Sequence, residues 1–293
     1  MNGYLKRLLL ALVLATVTAG TASAQRLPSH KDNLFAYPGV LSTEAGGAYR
    51  VVDYDEMRDI NGRDEVPERR VKSRYVSTGV RRSQADLVAD TAAGRVRYIA
   101  VGRRQNASII VVYLHGQGGS RRQGVDDFTF GGNFNRIKNL AVSAGGVYLS
   151  PDFADFGATG AAQVAGLINE YAAASPRAPV FVACGSMGGA LCWRLAKDPA
   201  VASRLGGLLL LGSLWDDGFF SSAAYQRRVP VFLGQGSRDK VFPVERMEGF
   251  FRSIRSRSPG YPVKMVRFET GSHGTPIRMT DWRETINWML SAR

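Results

Sequence analysis

From about residue 95 the chain alternates short apolar runs with segments of helical periodicity, and no other feature narrows the possible folds as far. The runs are Val96–Val101, Ile109–Leu114, Val147–Ser150, Val180–Ala183, Leu208–Leu211, Val229–Leu233 and Val263–Phe268, all short and several rich in β-branched residues. Strands this uniformly apolar need cover on both faces, the situation of a parallel sheet whose crossover helices lie above and below it. Helical patterns fall between them, around Asn135–Ala144, Thr159–Ala174, Ala190–Lys197, Val244–Arg257 and Asp281–Leu290. The sequence therefore predicts an α/β fold: a mostly parallel, twisted sheet with helices on both faces, formed by residues 95–293.

The preceding part, residues 25–94, is rich in Arg, Asp and Glu and is punctuated by Pro38-Gly39, Gly46-Gly47, Asn61-Gly62 and Pro67. Edge strands and loops are expected here, as an extension of one domain with the core. Tyr49–Asp53 and Val71–Ser77 read as antiparallel strands added to the sheet, and Leu34–Thr43 as a stretch draped over its surface.

The first 24 residues read as an export signal: basic Lys6 and Arg7, an apolar run from Leu8 to Ala19, and Ala22-Ser23-Ala24 as a small-residue cleavage site. The apolar run is shorter than the roughly 20 residues a spanning helix requires, so cleavage after Ala24, a new terminus at Gln25 and a periplasmic or secreted protein without a transmembrane anchor are expected. Losing Lys6 and Arg7 lowers the formal charge of +13 by only two. The exported protein would thus be drawn to anionic surfaces such as envelope lipids or acidic polysaccharides. The same charge suits nucleic acid, but no helix-turn-helix, zinc-ligand or aromatic-basic pattern accompanies it, and no nucleic-acid partner is expected. The two cysteines, Cys184 and Cys192, read as buried packing residues, set on a strand end and the next helix with Cα atoms beyond bridging distance. No histidine or further cysteine accompanies them, so no zinc site is expected.

After the run ending at Ala183 comes Cys184-Gly185-Ser186-Met187-Gly188-Gly189, and the helical pattern starts at Ala190. A serine on a sharp strand-to-helix turn is an exposed nucleophile, and small neighbours are required because strained dihedrals leave no room for side chains. The usual spacing is G-x-S-x-G, and Cys184 stands where the first glycine would. A plain tight loop is the competing reading of this stretch alone. A second glycine-rich loop, His115-Gly116-Gln117-Gly118-Gly119-Ser120, follows Ile109–Leu114 and would leave backbone N–H groups free to stabilise an oxyanion. A phosphate cradle is the alternative, but no Gly-Lys-Ser or G-x-G-x-x-G spacing is present.

Together the two loops resemble those of the α/β-hydrolase superfamily, in which the second oxyanion donor is the N–H just after the nucleophile. The resemblance implies the N–H groups of Gln117 and Met187 as donors. A serine hydroxyl needs an imidazole to take its proton. His273, in Gly271-Ser272-His273-Gly274 after the last strand, is the expected base, and His115 is assigned to orienting its own loop. The carboxylate that fixes the imidazole is expected at Asp239, in Gly236-Ser237-Arg238-Asp239, with Asp216 or Asp217 as substitutes. The order Ser186, Asp239, His273 is that of the superfamily.

The expected activity is hydrolysis of a carboxylic ester through a Ser-His-Asp triad and an acyl-enzyme, without cofactor or metal. A peptidase, an amidase, an acyltransferase or a silent binding protein on the same scaffold are the alternatives. The substrate is expected to be a small molecule, a lipid or an acylated polymer, with an anionic group as one option. Leu214–Tyr225 is read either as a short aromatic-lined cap or as a helix packed on the sheet. Residues 121–133, with Arg122, Asp126 and Asp127, read as a solvated loop, and Arg252, Arg255 and Arg257 as an exposed helix face.

Overall fold

Along each central strand, successive side chains enter two different cores. Ile110, Val112 and Leu114 join one cluster with Val180, Val182, Leu208 and Leu210, while Val111, Tyr113, Phe181, Ala183, Leu209 and Leu211 join the other. The period of two along a pleated strand requires this, and it explains why the strands read as unbroken apolar runs. The computed structural model describes residues 26–65 and 69–292. The expected leader, with its cleavage site after Ala24 and new terminus Gln25, lies outside the described residues, as does Pro67.

Among the described residues, twelve strands occur in chain order: β1 (Val40–Glu44), β2 (Tyr49–Asp53), β3 (Asp64–Glu65), β4 (Arg70–Val71), β5 (Gln84–Thr91), β6 (Gly94–Gly102), β7 (Ile110–Leu114), β8 (Val147–Pro151), β9 (Val180–Gly185), β10 (Leu205–Leu211), β11 (Val231–Gly236) and β12 (Val263–Glu269). The helices are α1 (Asp32–Phe35), α2 (Asn133–Ser143), α3 (Ala158–Ala174), α4 (Gly189–Lys197), α5 (Pro199–Ala202), α6 (Ala223–Gln226), α7 (Val244–Arg257), α8 (Thr275–Met279) and α9 (Trp282–Ser291). Ten strands form one sheet in the order β1-β2-β12-β11-β10-β9-β7-β8-β6-β5. The run from β2 to β8 is parallel, and antiparallel pairings close it at β1 and β6. Residues of α3, α4 and α7 fill one core and residues of α2, α8 and α9 the other. The predicted fold class is the one observed.

The extension departs from expectation. Tyr49–Asp53 does enter the sheet, antiparallel to β1 as expected but parallel to β12 on its other side, its register running from Met265 opposite Tyr49 to Glu269 opposite Asp53. Leu34–Thr43 does not drape over the surface: it holds the end of α1 and the start of β1, which pairs antiparallel with β2. Val71–Ser77 is not a strand of the main sheet. Arg70–Val71 pairs only with Asp64–Glu65, and a 3-10 turn over Ser73–Tyr75 follows. Gln84–Thr91, not anticipated, is the edge strand β5.

The cysteines correct a further expectation. Cys184 and Cys192 are joined by a disulfide, with Cα atoms 6.4 Å apart. Both belong to the core on the α4 side. After the sharp turn at Ser186, α4 runs back over its own strand and carries Cys192 to the face where Cys184 points.

Candidate active site

The three polar side chains expected to act together leave the same end of the sheet. Ser186 follows β9, Asp239 follows β11 and His273 follows β12, each in the loop just beyond the strand's carboxyl end. Ligands of open α/β sheets sit outside that end.

Ser186 begins a 3-10 turn, Ser186–Gly188, that leads directly into α4. Its φ is 52°, a left-handed conformation that is costly for a residue with a side chain and is kept where surroundings impose it. Two such constraints are visible. The Ser213 hydroxyl donates to the Ser186 carbonyl at 2.6 Å. A Cβ on Gly188 would lie 2.5 Å from the Leu114 carbonyl oxygen, so β7 presses against the turn. Cys184 fits where a glycine was expected because its side chain points away into the core and bonds to α4.

The Ser186 hydroxyl lies 2.9 Å from His273 Nε2, and His273 Nδ1 lies 2.8 Å from Asp239 Oδ2. Asp239 is fastened from both sides. Its Oδ1 accepts the N–H groups of Val241 (2.8 Å) and Phe242 (3.0 Å), and its Oδ2 also accepts Gln235 Nε2 at 2.7 Å. Burial alone would raise this carboxyl, but the His273 bond and the two backbone N–H groups outweigh it and hold the group below its ordinary value. An ionised Asp239 accepts a proton-bearing Nδ1, and the Nε2 lone pair then faces the serine hydroxyl.

The glycine-rich loop runs beside the serine: a Cβ on Gly116 would be 2.8 Å from Ser186 Cβ. Gln117 follows it, and Met187 occupies the first turn of the helix, where a backbone N–H has no intrahelical acceptor. His115 bonds through Nδ1 to the Gly116 carbonyl at 2.8 Å and stacks on Phe153 with centroids 4.3 Å apart. Burial lowers its affinity for a proton, against the opposing pull of the Gly116 bond. Asp216 is engaged elsewhere, by Lys197 Nζ and the Gly218 N–H, both at 2.7 Å.

Around this centre the sequence reading needs several corrections. The 121–133 loop is not simply solvated. Arg121 is buried between Asp86 and Asp152, and Asp127 is buried against Lys138 and Arg81. Within Leu214–Tyr225, Phe219 is wholly buried against Trp193 of α4, Phe250 of α7 and Tyr261, so it packs into the helix layer instead of lining an open pocket. On α7, Arg252 and Arg257 are exposed, as expected, while Arg255 is half-buried; Arg255 and Arg257 lie over the rings of Phe251 and Phe220. Ser213 and Gln235 were missed. Gln235 offered a signal, as a lone amide ending the apolar run Val231-Phe232-Leu233-Gly234. A cleft of about 320 Å3 opens beside His273, lined by its neighbours Ser272 and Gly274 and by Tyr54, Ile60 and Phe130. Among the described residues no group of three or more His, Cys, Asp or Glu side chains gathers to hold a metal, and no helix is long and apolar enough to cross a membrane.

No family model and no curated protein matches the chain. Solved structures do. An α/β serine hydrolase homologue from Coxiella burnetii is 17% identical, with a TM-score of 0.52 over 69% of this chain and 95% of its own. A Xanthomonas campestris α/β serine hydrolase without a lid is 15% identical, with a TM-score of 0.51 over 71% and 94%. A Pyrococcus furiosus esterase is 15% identical, with a TM-score of 0.53 over 74% and 96%. The chain therefore has the α/β-hydrolase fold. Each of these proteins is matched almost whole, while a quarter or more of this chain has no counterpart in them.

Proposed function

We propose that the protein is an exported serine hydrolase that cleaves carboxylic esters, with Ser186 as nucleophile, His273 as general base and acid, and Asp239 as the group that orients it. One observation carries the reading: hydroxyl, imidazole and carboxylate are linked in series at 2.9 Å and 2.8 Å. In the proposed reaction Ser186 Oγ attacks the ester carbonyl while His273 Nε2 takes the hydroxyl proton. The N–H groups of Gln117 and Met187 receive the charge that develops on the carbonyl oxygen. As the tetrahedral species collapses, His273 returns the proton to the departing alkoxide, and the alcohol leaves. Water, deprotonated by His273 in turn, then splits the acyl-serine to the free acid and restores the hydroxyl.

A fluorophosphonate probe should label the wild-type protein and release of p-nitrophenol from p-nitrophenyl acetate should follow enzyme concentration. Both should vanish in Ser186→Ala. Persistence of either in that variant, or an unlabelled but folded wild type, would remove Ser186 from the role. Product analysis with an added alcohol separates hydrolysis from acyl transfer, and amino-terminal sequencing of exported material should begin at Gln25.

A further inference from the structure

Which side of the site holds the alcohol half of an ester follows from proton economy. His273 must deliver its proton to the leaving oxygen, so on the hydrolase reading above the alcohol lies on the His273 side. That side carries the cleft bounded by Ser272 and Gly274, whose outer lining includes Arg69. A second cleft, of about 390 Å3, adjoins it and is lined by Arg70, Arg81 and Arg122 together with Asp126, Asp127 and Phe128. The two share a wall: Arg69 faces the first and Arg70 the second, and Thr129 and Phe130 line the first while Asp126 to Phe128 line the second.

The charge along this path is positive. Asp127 is paired with buried Lys138 and with Arg81, and one oxygen of Asp126 holds the N–H groups of Phe128 and Thr129. Arg278, at the floor of the first cleft, is neutralised by Asp64. Arg69 has only a 3.3 Å pair with Glu56, and both side chains are more than half exposed. Arg70 lies over the Phe128 ring at 4.5 Å, and neither it nor Arg122 makes an ion pair among the described residues. Arg70 and Arg122 thus have no ion pair among the described residues, and Arg69 has only its exposed pair with Glu56, so guanidinium groups border both clefts. Guanidinium forks bind carboxylates in two-pronged fashion, and two successive clefts suit an extended chain better than a single headgroup.

We propose that the alcohol half of the substrate is a carboxylate-bearing polymer: the enzyme removes ester-linked acyl groups from the hydroxyls of an acidic polysaccharide-like chain. That chain lies through both clefts with its carboxylates on Arg69, Arg70 and Arg122. Each turnover breaks one acyl–oxygen bond, consumes one water, and yields a free acid and the restored polymer hydroxyl.

Acetate release should be compared on acetylated polygalacturonate and on acetylated xylan, a neutral counterpart. In the combined variant Arg69→Gln, Arg70→Gln, Arg122→Gln, KM for the anionic polymer should rise about tenfold relative to that for xylan, and the preference of the wild type should fade with added salt. A control with the same charge loss at the opposite end of the sheet, Arg177→Gln, Arg204→Gln, Arg227→Gln, should keep the wild-type preference. An unmoved ratio in the cleft variant, or an equal shift in the control, overturns the proposal. So does probe labelling without acetate release from the anionic polymer, which leaves the hydrolase reading standing. If neither polymer is cleaved and no label is taken, the hydrolase reading fails and binding decides the cleft. Oligogalacturonate should then bind Ser186→Ala about tenfold more tightly than the same protein lacking the three arginines. Equal binding, or arginine-dependent capture only by phosphatidylglycerol vesicles, overturns the inference.

Discussion

The two oxygens of Asp239 have separate tasks, and an amide can perform only one of them. Oδ1 accepts two backbone N–H groups and fixes the turn, whereas Oδ2 accepts Gln235 and His273. In Asp239→Asn the oxygen stays with the backbone donors, and an NH2 group faces the imidazole. His273 must then present Nδ1 as an acceptor and carry its proton on Nε2, where it can no longer take one from Ser186. We expect kcat/KM on a p-nitrophenyl ester to fall by about 10⁴ with the fold intact. Stability should change in a pH-dependent way. The folded carboxyl is held below its ordinary value, so its contribution is complete above about pH 4 and is lost as pH falls through the lower folded value. Urea midpoints of wild type and variant should therefore differ at neutral pH and converge in acid; a constant gap would mean the carboxylate is not held by its charge. At this scale the three linked side chains were legible because each follows an apolar strand within a short Gly- or Ser-containing loop. Ser213 was not, because a serine after a strand carries no pattern that marks its target.

Between β9 and α4 the chain reverses so sharply that a covalent bond became possible where divergence was expected. The reason is geometric. A strand and helix joined by an ordinary loop separate, but the left-handed Ser186 and the absent side chain at Gly188 let α4 fold back on β9, closing Cys184 onto Cys192 across eight residues. Removing that closure frees a short loop in the unfolded chain. The double variant Cys184→Ala, Cys192→Ala should lose about 2–3 kcal/mol of unfolding free energy. Probe labelling should survive, since the Ser213 bond and the press of β7 still hold the turn. Denaturant titration with labelling on the same samples checks both halves. The elements of the core were legible for a related reason: strands buried on both faces cannot be polar, and helices between them must keep one apolar side. The extension lacked that constraint. Edge strands such as Gln84–Thr91 bury only part of their residues, so their apolar signal is diluted by Asp86, Asp90 and neighbouring arginines.

The segment before the core is bound into the whole molecule by ion pairs to buried arginines. Arg136, wholly buried on α2, is shared between Asp32 and Asp281, and Arg278 on α8 is paired with Asp64, whose side chain is also buried. Leu27 donates to Asn287 on α9, and β2 covers the edge of β12. A protein that starts at Gln84 would lose Asp32 and Asp64 and expose β12 as an open edge. Removing one member of a buried pair costs about 3–5 kcal/mol because the remaining charge is stranded. Arg136 keeps Asp281, but the stranded Arg278 together with the opened edge of β12 weighs heavily against the roughly 5–15 kcal/mol that holds an average domain folded. The shortened chain should therefore fail to give a soluble, cooperatively melting monomer, and size exclusion with thermal denaturation would show it. Asp64→Asn in the full-length protein isolates one of the two pairs: it should fold, melt lower, and lose about 3 kcal/mol. If the shortened chain instead melts cooperatively with the three linked side chains undisturbed, the extension is an appendage to an independent core. Because Tyr54, Ile60 and Arg69 also wall the cleft beside His273, the same segment that completes the fold would then be dispensable for stability and retained for the cleft alone.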